Sequence, residues 1–150
     1  MKDRWSYLFA TCFGIGLAKV APGTLGALPA LVLHWAFGFL PVPLHLAIVC
    51  VITVIAVYTS GEVCRSCELE DPQNIVIDEL VGALFALFLV SGFGFAAEII
   101  AVILFRILDI AKPWPIYFVA KWKPAGVGVV ADDIVAGVIA GLVTFLLWSL

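Results

Sequence analysis

Between Lys19 and Glu62 the chain carries no aspartate, glutamate, lysine or arginine. So long an uncharged run suits the inside of a large protein or the inside of a bilayer. At 150 residues the chain reads as one domain, residues 1–150. Hydrophobic residues make up 64% of it and charged residues 13%, against about 45–50% and about 25% in a soluble globule. A chain this short cannot hide that much apolar surface within itself. Lipid is therefore the expected solvent for much of it. The net charge of −3 offers no basic face, so nucleic acid is not an expected partner.

Prolines and glycines cut the apolar run into helices. Residues 5–18 form a short Gly-containing stretch, interfacial or re-entrant, and the charged start Met1-Lys2-Asp3-Arg4-Trp5 lacks a convincing cleavage site, so it reads as retained. Pro22-Gly23-Thr24 is a break, with Thr24 as the expected N-cap of a helix from about Leu25 to Leu40. Pro41-Val42-Pro43 turns the chain into a second helix, about Leu44 to Gly61, followed by a polar loop over 62–77. A third helix opens at Asp78-Glu79 and runs to about Val90. Ser91-Gly92-Phe93-Gly94 turns it into a fourth, about Phe95 to Ala111. Residues 112–131 form a second polar connection with a short interfacial helix near Trp114–Trp122, and Asp132-Asp133 opens the last helix, ending near Leu150. The expected fold is all-α. It is a small membrane-embedded helical bundle of two helical hairpins, a final apolar helix and short interfacial helices.

Charge then orients the bundle. With two hairpins drawn, Lys2, Arg4, Lys19, Arg65, Arg106, Lys112, Lys121 and Lys123 all fall on one side, and the turns at 41–43 and 91–94 carry no basic residue. Positive loops stay cytoplasmic. Ten of the eleven acids lie on that side too, Glu98 being the exception. The polar chemistry is gathered at one membrane face.

Five carboxylates converge there: Asp78, Glu79, Asp109, Asp132 and Asp133. Clustered carboxylates repel unless a cation intervenes, and oxygen-only ligation suits a hard ion such as Mg²⁺. Arg106 and Asp109 are three apart and share a helix face, while Pro113 ends the helix and leaves Lys112 at its mouth. Both cations suit phosphate oxygens, as does the Gly23-Thr24 turn entering its helix. Ile77-Asp78-Glu79-Leu80-Val81-Gly82 is echoed by Ala131-Asp132-Asp133-Ile134-Val135-Ala136-Gly137. Acids also suit helix N-termini through the dipole. Three chemistries fit: metal-dependent phosphate chemistry, a structural ion network, and ion or proton transport by a small membrane transporter or ion-binding protein.

Other motifs add little. Cys64-Arg65-Ser66-Cys67 has no second pair or spaced histidine for zinc. His34 and His45 lie in apolar surroundings and read as packing or interfacial residues. There is no C-x5-R loop, no D-x-D-x-[TV] loop and no histidine placed as a phosphate acceptor, so activated water is the simplest nucleophile.

Four stretches together carry a family likeness: Pro22 to Gly26, Asp71 to Gly82, Phe105 to Ile116, and Gly126 to Gly137. In that order they resemble the phosphatidylglycerophosphatase A family of bacterial membrane phosphatases. The resemblance implies Mg²⁺-dependent hydrolysis of phosphatidylglycerophosphate to phosphatidylglycerol and phosphate at the inner face of the cytoplasmic membrane. It implies a phospholipid substrate and leaves room for a homo-oligomer. Carried over by residue, Asp78, Glu79, Asp109, Asp132 and Asp133 are the metal and water-activating set. Arg106, Lys112, Thr24 and Gly23 are the phosphate contacts. The chain departs from the family pattern at Ala18, Lys19, Ala27 and Ala120.

Overall fold

The computed structural model describes residues 4–70 and 72–150. Lys2, counted at the charged side, and Asp71, in the polar loop, lie outside the described residues. Among the described residues the fold is all-helical: α1 (Arg4–Ala10), a 3-10 turn (Ile15–Leu17), α2 (Pro22–Phe37), α3 (Val42–Cys67), α4 (Ile77–Leu89), α5 (Phe95–Ala111), α6 (Ile116–Val119) and α7 (Ala125–Ser149). The α4–α5 hairpin, the final apolar helix and the short flanking helices are present; α2 and α3 are joined by a turn and both pack on α4 rather than along each other.

Lengths sort these helices. At about 1.5 Å per residue, α3 and α7 reach nearly 40 Å, whereas α4 spans only about 20 Å. Among the described residues, only α3 and α7 are long and apolar enough to cross a bilayer by themselves. Their outer faces expose Val51, Val54, Leu142, Leu146 and Leu147, an apolar surface that water does not tolerate at this extent. The molecule is membrane-associated.

α4 is the pillar. It packs against α2, α3, α5 and α7, and Leu80, Val81, Ala83, Leu84, Ala86 and Leu87 are all buried. A helix apolar on every side belongs inside a bundle. Between helices in lipid, close packing rather than water exclusion supplies the adhesion, so small residues gather at contacts. The α4–α7 crossing shows this. A Cβ added at Gly137 would sit 2.0 Å from the Gly82 carbonyl oxygen, and one added at Gly141 would sit 2.9 Å from that of Ala86. Contacts repeating every four residues in the same order mean that α4 and α7 run parallel.

Three boundaries differ from those read in the sequence. α2 starts at Pro22, so Thr24 lies inside its first turn and Ala21 is the N-cap. Proline has no N–H to lose at the first helical position, and its fixed φ starts the helix early. α3 continues to Cys67, where Arg65 and Glu62 form an exposed ion pair one turn apart. This shortens the polar loop. α7 starts at Ala125, so Asp132 and Asp133 lie about 10 Å inside it rather than at its mouth. Buried Gly126, Gly128, Val129 and Val130 pack that first stretch, and packing outweighs glycine's poor helix propensity.

α1 sets where α4 begins. The Val76 N–H donates to the Ala10 carbonyl at 2.9 Å, and the Asn74 side-chain amide donates to the Tyr7 hydroxyl at 2.8 Å. The segment before the acid pair is thereby tied down.

Candidate active site

A cavity of about 490 Å³ opens where α2 and α4 begin and α5 ends, against the stretch of α7 that carries Val129, Asp132 and Asp133. It is lined by all nine residues singled out from the sequence: Gly23, Thr24, Asp78, Glu79, Arg106, Asp109, Lys112, Asp132 and Asp133. Gln73 lines it as well and was missed by sequence reasoning. It lies two residues from Ile75, a lining residue, and its own block was quoted for the likeness without a role for the amide.

The helix crossing explains the acid cluster. Asp78 precedes Gly82 by four residues, and Asp133 precedes Gly137 by four. Residues four apart share a face. Because Gly82 and Gly137 touch backbone to backbone, the acids one turn earlier are forced together. Asp78, Glu79 and Asp133 each bring one ligand oxygen within 4.8 Å of the others. Asp78 and Glu79 occupy the first turn of α4, where its dipole favours negative charge. Asp132 and Asp133 are too deep in α7 for that help, so the dipole does not account for them.

The other two carboxylates meet cations. Arg106 Nη1 lies 2.6 Å from Asp109 Oδ2 and 3.6 Å from Glu79 Oε1. Lys112 Nζ donates to Asp132 Oδ2, joining the end of α5 to α7. Burial alone would lower the Lys112 ammonium. The hydrogen bond and charge of Asp132, with the charges of Asp133 and Asp109, outweigh it and hold the group above its ordinary value. Lys112 therefore stays charged throughout the physiological range.

α2 closes the cavity at very short range. A Cβ added at Gly23 would lie 2.0 Å from Glu79 Oε1 and 2.7 Å from an Arg106 amino nitrogen. Only glycine lets the α2 mouth come so near. The N–H groups of a first helical turn have no partner within the helix, so this mouth suits an anion.

The residues fit a hard cation. Glu79 Oε2 and Asp133 Oδ2 are buried without a hydrogen-bond partner, beside a third carboxylate, and the donor set is all oxygen. A buried carboxylate oxygen without a partner is costly unless a cation balances it.

The phosphatidylglycerophosphatase A family model matches residues 8–148. Phosphatidylglycerophosphatase A of Escherichia coli (strain K12) is 35% identical over 147 residues, covering 97% of this chain and 85% of that protein. A Bacteroides thetaiotaomicron protein with the provisional name phosphatidylinositol-3-phosphatase is 38% identical over 138 residues, covering 87% of this chain and 86% of its own. Phosphatidylglycerophosphatase A of Haemophilus influenzae is 31% identical over 140 residues, covering 93% of this chain and 86% of its own. No solved structure matches the chain. The chain belongs to the phosphatidylglycerophosphatase A family of lipid phosphatases.

Proposed function

We propose that this protein hydrolyses the phosphomonoester of phosphatidylglycerophosphate, releasing phosphatidylglycerol and inorganic phosphate. One observation carries the reading: Asp78, Glu79 and Asp133 converge in a single cavity with two basic groups, and Glu79 and Asp133 each keep a buried oxygen without a hydrogen-bond partner. Asp78, Glu79 and Asp133 would hold Mg²⁺. Bound there, the ion supplies Lewis-acid charge to the phosphoryl oxygens and makes a water more acidic.

The remaining work belongs to side chains. Arg106 and Lys112 face the phosphate, the arginine with a fork that matches two oxygens at once. The Gly23-Thr24 turn offers backbone N–H groups on the same side. A cavity carboxylate takes one proton from water as its oxygen bonds to phosphorus, and the P–O bond to glycerol breaks in line. The glycerol oxygen takes a proton from solvent water, and the carboxylic acid then returns its proton to solvent. The charged stretches at the cavity end of the helices support a cytoplasmic site at the inner membrane. The lipid stays among the helices while its head group reaches the acids.

The Bacteroides relative favours a second reading of the head group, a phosphoinositide. Phosphate release in detergent micelles tests both. Phosphatidylglycerophosphate and phosphatidylinositol 3-phosphate are compared with Mg²⁺ and with EDTA. Mg²⁺-dependent turnover of the first above the second is the expected result. The reverse order would reassign the substrate, and no turnover of either would end the phosphatase reading.

A further inference from the structure

The five carboxylates of the cavity are not equivalent. Asp78, Glu79 and Asp133 converge on one point within 4.8 Å. Asp109 and Asp132 instead each meet one basic group, Arg106 at 2.6 Å and Lys112. We propose that Asp109 and Asp132 are positioning residues that compete with phosphate for Arg106 and Lys112, and are not ligands of the cation. This rests on the phosphatase reading of the same cavity.

Neither basic group is saturated by its carboxylate. Arg106 has five N–H donors. Its Nη1 serves Asp109 and Glu79, and its Nε is buried without a partner. Lys112 has three donors and its side chain is 36% exposed, whereas that of Asp132 is 1% exposed. Each pair thus keeps spare donors on a basic side chain that lines the cavity and is already held in place. A phosphate oxygen approaching them shares the cation with a carboxylate that is already there.

Such sharing has a sign. Two binders that compete for one group weaken each other, and removing one strengthens the other by the same coupling. The internal carboxylates should therefore loosen the hold on inorganic phosphate, the product, while keeping both cations oriented for the ester. A cavity with two free cations beside a divalent ion would bind substrate and product alike, and uniform binding of that kind does not raise turnover.

Equilibrium binding separates this from a metal-ligand role. Protein in detergent micelles is titrated with Mn²⁺, read by electron paramagnetic resonance, and with inorganic phosphate in saturating Mg²⁺, read by calorimetry. Asp109→Asn and Asp132→Asn are expected to hold Mn²⁺ within about fivefold of wild type and to bind phosphate roughly tenfold tighter. Asp133→Asn is expected to lose Mn²⁺ affinity by more than about a hundredfold. If either asparagine variant loses Mn²⁺ as Asp133→Asn does, that residue is a ligand and the proposal fails for it. Phosphate affinity that stays or falls in a variant with intact Mn²⁺ binding overturns the competition. If Asp132→Asn does not fold, Asp109→Asn decides alone. Both readouts are independent of lipid turnover, so a wrong substrate leaves them interpretable.

Discussion

The two ends of the bundle both bury charge, and they do so in opposite ways. At the far end Glu98 of α5 accepts a hydrogen bond from the Trp35 indole N–H at 2.8 Å and lies 3.6 Å from His34 Nε2. The His34 and His45 rings stand 5.4 Å apart, and His45 meets Phe88 edge-on. One carboxylate there is met by donors from α2, within an aromatic cage. At the cavity end five carboxylates face two basic groups, so negative charge is left over. A buried charge is tolerated when its partners are supplied. A surplus persists only where something from outside completes it. The far cluster clasps α2 to α5, while the near cluster is built to receive. About 16 Å of α5 separates Glu98 from Asp109, and residues 99–105 between them are all apolar. The two clusters do not form a polar path through the bilayer, which weighs against transport.

Substitutions can break that contrast, and the largest effect belongs to the converging acids. Asp133→Asn should lower kcat/KM by about a thousandfold or more, measured as phosphate release with Mg²⁺. Retention of a tenth of the activity would place the cation elsewhere. Gly137→Ala attacks the same point through the backbone, since its Cβ would collide with the Gly82 carbonyl. Helix separation there should cost about 1–3 kcal/mol of stability and roughly a hundredfold in turnover. Wild-type turnover in this variant would show that the crossing does not set the acids.

Smaller effects test the cations and the clasp. Arg106→Lys keeps the charge and loses the fork, so KM should rise roughly tenfold with kcat less affected. An unchanged KM would mean a point charge suffices. Trp35→Phe removes the donor to Glu98 and should lower thermal stability by about 1–2 kcal/mol, while kcat/KM stays within about twofold. A large loss of turnover would show that the far end shapes the site. Glu70→Gln should change nothing measurable, because Glu70 and Lys123 form an exposed pair. The Lys123 hydrogen bond and charge hold the Glu70 carboxyl below its ordinary value. Whatever stability the pair contributes is present above the ordinary carboxylate range and lost as pH falls through the depressed value. A pH-dependent melting difference between Glu70→Gln and wild type near neutrality would contradict this.

The cavity residues were legible because charge is rare in this chain. Nine positions chosen for charge or for a glycine turn all line one cavity, since an apolar bundle has few other places for them. What the sequence hid was the mechanism of convergence. Gly137 and Gly141 form a G-x-x-x-G face with the acid one turn earlier, and Gly82 does the same for Asp78. The echo between 77–82 and 131–137 was visible, but it read as two helix starts rather than as one crossing. The Gly-rich stretch 125–131 looked like a loop because propensity is local and the packing that makes it helical is not. Likewise, nothing in the spacing of His34, His45 and Glu98 joins them, since they come from three helices. Their roles as packing residues hold for the rings. The partnership of His34 with Glu98 needed the fold.

The parallel run of α4 and α7 bears on how such a site can arise in a membrane at all. Two helices that face each other turn for turn, with acids on the same level, must start from the same end of the bundle. A chain can do that only by running back along the bundle in between, so an even number of passes along it has to separate the acid pairs from one helix start to the next. α5 is that return passage, and it arrives at the acid level with Arg106, Asp109 and Lys112. The segment that topology demands as a way back is thus also the one that delivers the basic groups. An insertion that reversed the direction of α7 would carry Asp133 to the opposite end of the bundle.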